Sequence, residues 1–193
     1  MSRRLSFGWL VLAVLAINLA LLAVMMFGTL AHLAGLADGA EPFDLRPLGY
    51  SVGDARALLQ LLGEEGRTYY VRAQLAVDSI YPATYAVSRG LLLWWLTMPG
   101  RLPSVMRTRW RIAMLMLPLF AAAFDYFENA RIAAMLLSGP LVDAALVASA
   151  SHATQAKSLL TLLTEALVVV LGVRVVLSWR RARAIGQRPT PAS

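Results

Sequence analysis

Cysteine is missing altogether, lysine occurs once and histidine twice. Without a thiol there is no disulfide, no thiol redox chemistry and no Cys-ligated metal. Hydrolytic metal sites usually draw on several histidines, and His32 and His152 both fall near the ends of apolar stretches. They could join Glu41 or Asp44, but no metal and no cofactor is expected. A Gly-rich phosphate loop, a Gly-x-Ser-x-Gly elbow and the aspartate-rich pattern of membrane alcohol phosphotransferases are also absent, which removes those enzyme classes. Charge is scarce as well. Only 15% of the 193 residues are charged, against 59% hydrophobic residues and a mean hydropathy of +0.62. That balance excludes an ordinary soluble domain and points to an all-α polytopic membrane protein built as one bundle.

What charge there is lies in particular places. The net charge of +7 comes from seventeen arginines and the single lysine, Lys157. The arginines collect at the ends of apolar segments, where they report membrane orientation and not nucleic-acid binding. Four transmembrane helices are predicted, over residues 7–36, 68–97, 112–137 and 153–179, with a disordered tail at 184–193. The first apolar stretch is longer than a signal-peptide core and reads as a retained anchor, cleavage after Ala37 being the alternative. Residues 37–66 form an external loop in which Ser51 and Asp54 resemble a capping box opening a short amphipathic helix over about 52–62. Its leucines suit either a helix lying on the membrane surface or a lid over the bundle mouth. The basic ends at 1–6, 100–111 and 180–188 are assigned to the cytoplasm, so both termini lie inside an inner cell membrane.

The polar residues within the spans are the candidate site. A carboxylate at mid-membrane costs roughly 3 kcal/mol on insertion scales, so such groups normally face a bundle interior. On the second span Arg67, Tyr70, Gln74, Asp78, Tyr81, Tyr85 and Ser88 recur at steps of three and four and make one stripe, with Pro82 permitting a bend. Tyr69 and Tyr70 read as an interfacial aromatic belt, and Arg72 and Arg89 as snorkelling. On the third span Asp125, Glu128 and Asn129 share a face, and Arg131 can pair with Glu128 from the flank. On the fourth, Thr154, Lys157, Thr161 and Thr164 share a face, with Ser158 and Glu165 at its edge. Asp78, Asp125, Glu128 and Lys157 fall at similar depths and can meet, which lets Lys157 pair with one or two carboxylates. These four are the candidates for acid, base or ion chemistry. Gln74, Tyr81, Tyr85, Asn129 and Thr161 complete the expected ligand- or ion-binding set.

The stretches Phe43 to Tyr50, Gly66-Arg67, Asp78-Ser79-Ile80-Tyr81-Pro82-Ala83-Thr84-Tyr85 and Asp125-Tyr126-Phe127-Glu128-Asn129, with Lys157 beyond them, resemble a family of small uncharacterised bacterial membrane proteins. The resemblance implies four spans and the same choice of residues, and it brings no activity. An architectural likeness to four-helix sterol isomerases and the sigma-2 receptor does not extend to their residue patterns. The leading expectation is a protein that binds or conducts a small or amphipathic ligand or an ion, as a transporter subunit if it translocates, in which case a homo-oligomer is expected. An intramembrane enzyme using carboxylate acid–base catalysis on a lipid, and an assembly protein whose polar cluster only locks helices, are the alternatives. Membrane lipid is the expected partner, and nucleic acid is not. The orientation is testable: a reporter fused after Arg183 should be cytoplasmic, and a periplasmic signal would overturn it.

Overall fold

A computed structural model describes residues 2–102 and 108–186. Arg107 and residues 187–193 of the expected disordered tail lie outside them. All regular structure among the described residues is helical: α1 (Ser2–Val24), α2 (Leu30–Leu36), α3 (Val52–Tyr69), α4 (Leu75–Asp78), α5 (Tyr81–Leu96), α6 (Thr108–Ser138) and α7 (Ala144–Gly186). Three helical stretches are long and apolar enough to cross a membrane: Phe7–Leu36, Thr108–Leu141 and Ala144–Arg181. Helix α6 lies against both α5 and α7, α1 lies against α5, and α1 and α7 scarcely touch. A gap is therefore left along one side of the assembly.

The expected second span, 68–97, is not one continuous helix. It is interrupted between Asp78 and Tyr81, and proline chemistry explains the break. Pro82 has no N–H, so it cannot donate to the carbonyl of Asp78 four residues earlier. That carbonyl is taken by the Asn129 side chain at 3.3 Å, and the Tyr126 hydroxyl donates to the neighbouring Ser79 carbonyl at 3.1 Å. Helix α6 thus caps the broken segment from outside.

Two π-helical turns, Met25–Thr29 and Tyr70–Gln74, pack on each other, and the Thr29 hydroxyl donates to the Gln74 side-chain oxygen. Residues spaced by four drift by about 40° per step around an α-helix. The wider π turn reduces that drift. Tyr70, Gln74 and Asp78 accordingly stay on one buried face.

One expected boundary moves. Residues 144–152 are the first turns of α7 and not loop, because the Asp143 carboxylate caps them, accepting from the backbone N–H of Ala145 at 2.8 Å and Leu146 at 3.2 Å. The short helix opening at Val52 ends where expected, at a kink in which Gly63 has the non-helical φ 60°, ψ −164°, and a second helical run follows directly to Tyr69. The Ser51–Asp54 capping box is present, and its hydrogen bonds from Ser51 hold the Asp54 carboxyl below its usual range. Ala55, Leu58, Leu59 and Leu62 do not lie on a surface. They are buried with Phe43, Ile132, Met135, Val142 and Val147 in the larger of two apolar cores, over one end of the helices.

The backbone at Gly63 falls in a region open essentially to glycine, so Gly63→Ala should cost about 1–3 kcal/mol through conformation alone, since no atom lies within 4 Å of the added methyl. Thermal unfolding in nanodiscs measures this, and an unchanged transition would count against the kink.

Candidate functional site

The motif Asp125-Tyr126-Phe127-Glu128-Asn129 works in two directions. Tyr126 and Asn129 serve the break between α4 and α5, as described above. Asp125 and Glu128 face α7, where Lys157 reaches both: its Nζ lies 3.2 Å from Asp125 Oδ1 and also contacts Glu128 Oε2. Thr154, one turn earlier on α7, donates to Glu128 Oε1 at 2.5 Å. Glu128 is fully buried and Asp125 nearly so. In this triad one ammonium serves two carboxylates, and a hydroxyl satisfies a further lone pair. Arg131 does not pair with Glu128 as expected. Its guanidinium lies over the Phe127 ring at 4.6 Å, because Lys157 and Thr154 already occupy the Glu128 carboxylate.

A second ion pair lies beside Tyr85. Arg89, expected to snorkel, is buried: its Nε donates to Glu165 Oε1 at 2.6 Å and its Nη1 to Asn18 Oδ1 at 3.2 Å. Asn18 in turn donates to Thr84 at 3.1 Å. Four polar side chains from α1, α5 and α7 are tied together here. Neither Arg89 nor Asn18 was singled out by the sequence pattern, because an arginine some seven residues from a helix end reads equally well as reaching water.

The largest difference from expectation is Asp44. It lies in a short 3-10 turn, Phe43–Leu45, on the segment joining α2 to α3, where no periodicity can place it. Folded back, it accepts hydrogen bonds from the Tyr70 hydroxyl and from Gln74 Nε2, the latter at 3.3 Å, and its carboxyl lies against that of Asp78. Tyr70 is therefore fully buried and not part of an interfacial belt. The segment is pinned on its far side too. The Tyr50 N–H donates to Ser151 at 2.9 Å, and Gln155 donates to the Leu48 carbonyl at 2.8 Å. Burial and then the nearby Glu128 charge push the Tyr50 phenol above its ordinary range.

These elements enclose a cavity of about 420 Å³. Its polar lining residues are Asp44, Asp78, Asp125, Lys157 and Glu165, with Tyr81, Tyr85 and Thr161, and its apolar lining includes Leu22, Met25, Met26 and Leu30 of the first apolar helix and Leu162 of α7. Of the expected set, Asp78, Tyr81, Tyr85, Asp125, Lys157 and Thr161 line the cavity. Gln74, Glu128 and Asn129 do not: they hold, respectively, Asp44, Lys157 and the broken helix. The His32 ring lies tilted against Tyr69 with centroids 4.5 Å apart, His152 is exposed, and no cluster of metal-ligating side chains occurs among the described residues. Comparison with protein-family models, curated proteins and solved structures gives no match for this chain.

The carboxylates thus fall into two groups. Asp125, Glu128 and Glu165 have cationic partners, whereas Asp44 and Asp78 have none among the described residues. Removing one member of a buried ion pair typically costs about 3–5 kcal/mol. Lys157→Met should lose stability of that order, and neutralising Asp125 and Glu128 in the same chain should restore most of it. Asp78→Asn should stay within about 1 kcal/mol of wild type, having no ion pair to lose. Thermal unfolding of the variants decides, and an Asp78→Asn loss as large as that of Lys157→Met would refute the division.

Proposed function

We propose that the protein is a four-span membrane protein, with both termini cytoplasmic, that binds a small or amphipathic molecule in this cavity. The single observation that supports the reading most is the cavity's mixed lining. A volume of about 420 Å³ is within the ~300–1,000 Å³ of small-molecule sites, and a few polar groups in a mainly apolar lining are what orient a bound ligand. In this reading the interrupted segment from α3 to α5 is the second span. Its break is tolerable at membrane depth because α6 satisfies the freed carbonyls.

The paired residues are framework. The Lys157 triad joins α6 to α7, and the Arg89–Glu165–Asn18–Thr84 cluster joins α1, α5 and α7. Asp44 and Asp78 are the groups left to meet a ligand. Their side-by-side placement also favours a second reading, a carboxyl pair acting as acid and base on a lipid-derived substrate. A transport role would call for assembly into an oligomer, since four spans are few for translocation.

Native mass spectrometry of protein taken from its own membranes tests the binding reading. Wild type should retain a molecule that Asp78→Asn releases while remaining folded. A wild-type protein that retains nothing, with an unchanged cellular lipid profile on deletion of the gene, would leave only the structural role.

A further inference from the structure

Building on the binding reading, we infer that the ligand is an amine-headed amphiphile that enters sideways from the bilayer, its ammonium group between Asp44 and Asp78 and its hydrocarbon tail against α1 and Leu162. Charge complementarity fixes the head. Lys157 is held by Asp125 and Glu128, and Arg89 by Glu165, so each cation of the site is already engaged. Asp44 and Asp78 remain: both line the cavity, neither is in an ion pair among the described residues, and the Lys157 charge that reaches them is already matched by Asp125 and Glu128. Two such groups repel in a poorly hydrated site unless a proton or a cation lies between them. Asp78 is 2% exposed and lines the cavity. A divalent metal is a poor occupant, because no group of three or more metal-ligating side chains occurs among the described residues. An ammonium can be held by the two carboxyl acceptors alone.

The tail and the route follow from the gap between α1 and α7. Met26 and Leu162 both line the cavity and are both exposed, at 39% and 66%. They mark a mouth facing the lipid side of the helices. From above, the cavity is roofed by the segment carrying Asp44, Leu45 and Pro47, which is pinned to α7 through Ser151 and Gln155. The side opening is therefore the one that remains, and a molecule using it passes apolar side chains before meeting the carboxyls.

The test is binding of tritiated dodecylamine to the full chain in nanodiscs of uncharged lipid, competed with unlabelled dodecylamine, dodecanol or dodecanoate. Dodecylamine should compete at least about thirtyfold better than dodecanol, as expected when a buried charge pair is gained, and dodecanoate should be weakest. Asp44→Asn and Asp78→Asn should each remove that preference. Leu162→Trp, at an exposed position, should fold normally and still slow or abolish binding by blocking the mouth. Equal competition by dodecanol would overturn the amine inference while leaving a binding site in place. Full binding by both aspartate variants would also overturn it, and normal binding by Leu162→Trp would overturn the lateral route. If none of the three probes binds and native mass spectrometry finds nothing retained, the binding reading itself falls, and this inference with it.

Discussion

A carboxylate cannot be left alone among hydrocarbon, and most of this structure follows from how that constraint is met. Asp125 and Glu128 stand one helical turn apart on α6, and a single ammonium from α7 serves both. The arrangement fixes the rotation of α6 and α7 about their axes, since a turn of either helix would separate the groups. It also fixes the register of the other face of α6, where Tyr126 and Asn129 must meet the carbonyls released at the break before Pro82. A lysine suits the triad better than the arginine this chain otherwise uses. A compact ammonium fits between two carboxylates that the planar, broader guanidinium would force apart.

The broken helix has a consequence for the cavity. The interruption after Asp78 and the two facing π turns keep Tyr70, Gln74 and Asp78 aligned along one buried face. That face receives Asp44 from the segment joining α2 to α3. Neither carboxyl is in an ion pair among the described residues, and both line the cavity. The polar interior is thereby divided into carboxylates held in ion pairs between helices and carboxylates outside them.

Periodicity made the inward stripes legible. Steps of three and four placed Gln74, Asp78, Tyr85, Asp125 and Glu128 on faces that are buried, and the count of one lysine drew attention to Lys157. The same method could not reach Asp44, because a turn has no period and its partners are far away in sequence. It misplaced Arg89 and Tyr70 because distance from a helix end is a poor guide when helices are broken and a neighbouring segment folds over them. The helical start of α7 was missed for a smaller reason: the capping by Asp143 looks, in sequence, like an acidic loop residue after Gly139-Pro140.

The central claim proposed is that Asp44 and Asp78 line the cavity outside any ion pair among the described residues, while Asp125 and Glu128 are engaged by Lys157. Labelling with dicyclohexylcarbodiimide tests it most directly, because this apolar reagent modifies protonated carboxyl groups that it can reach from the bilayer. Treated membranes, followed by peptide mapping, should show the adduct on Asp78 or Asp44 and none on Asp125 or Glu128. Modification of Asp125 or Glu128 with Asp44 and Asp78 spared would contradict the account.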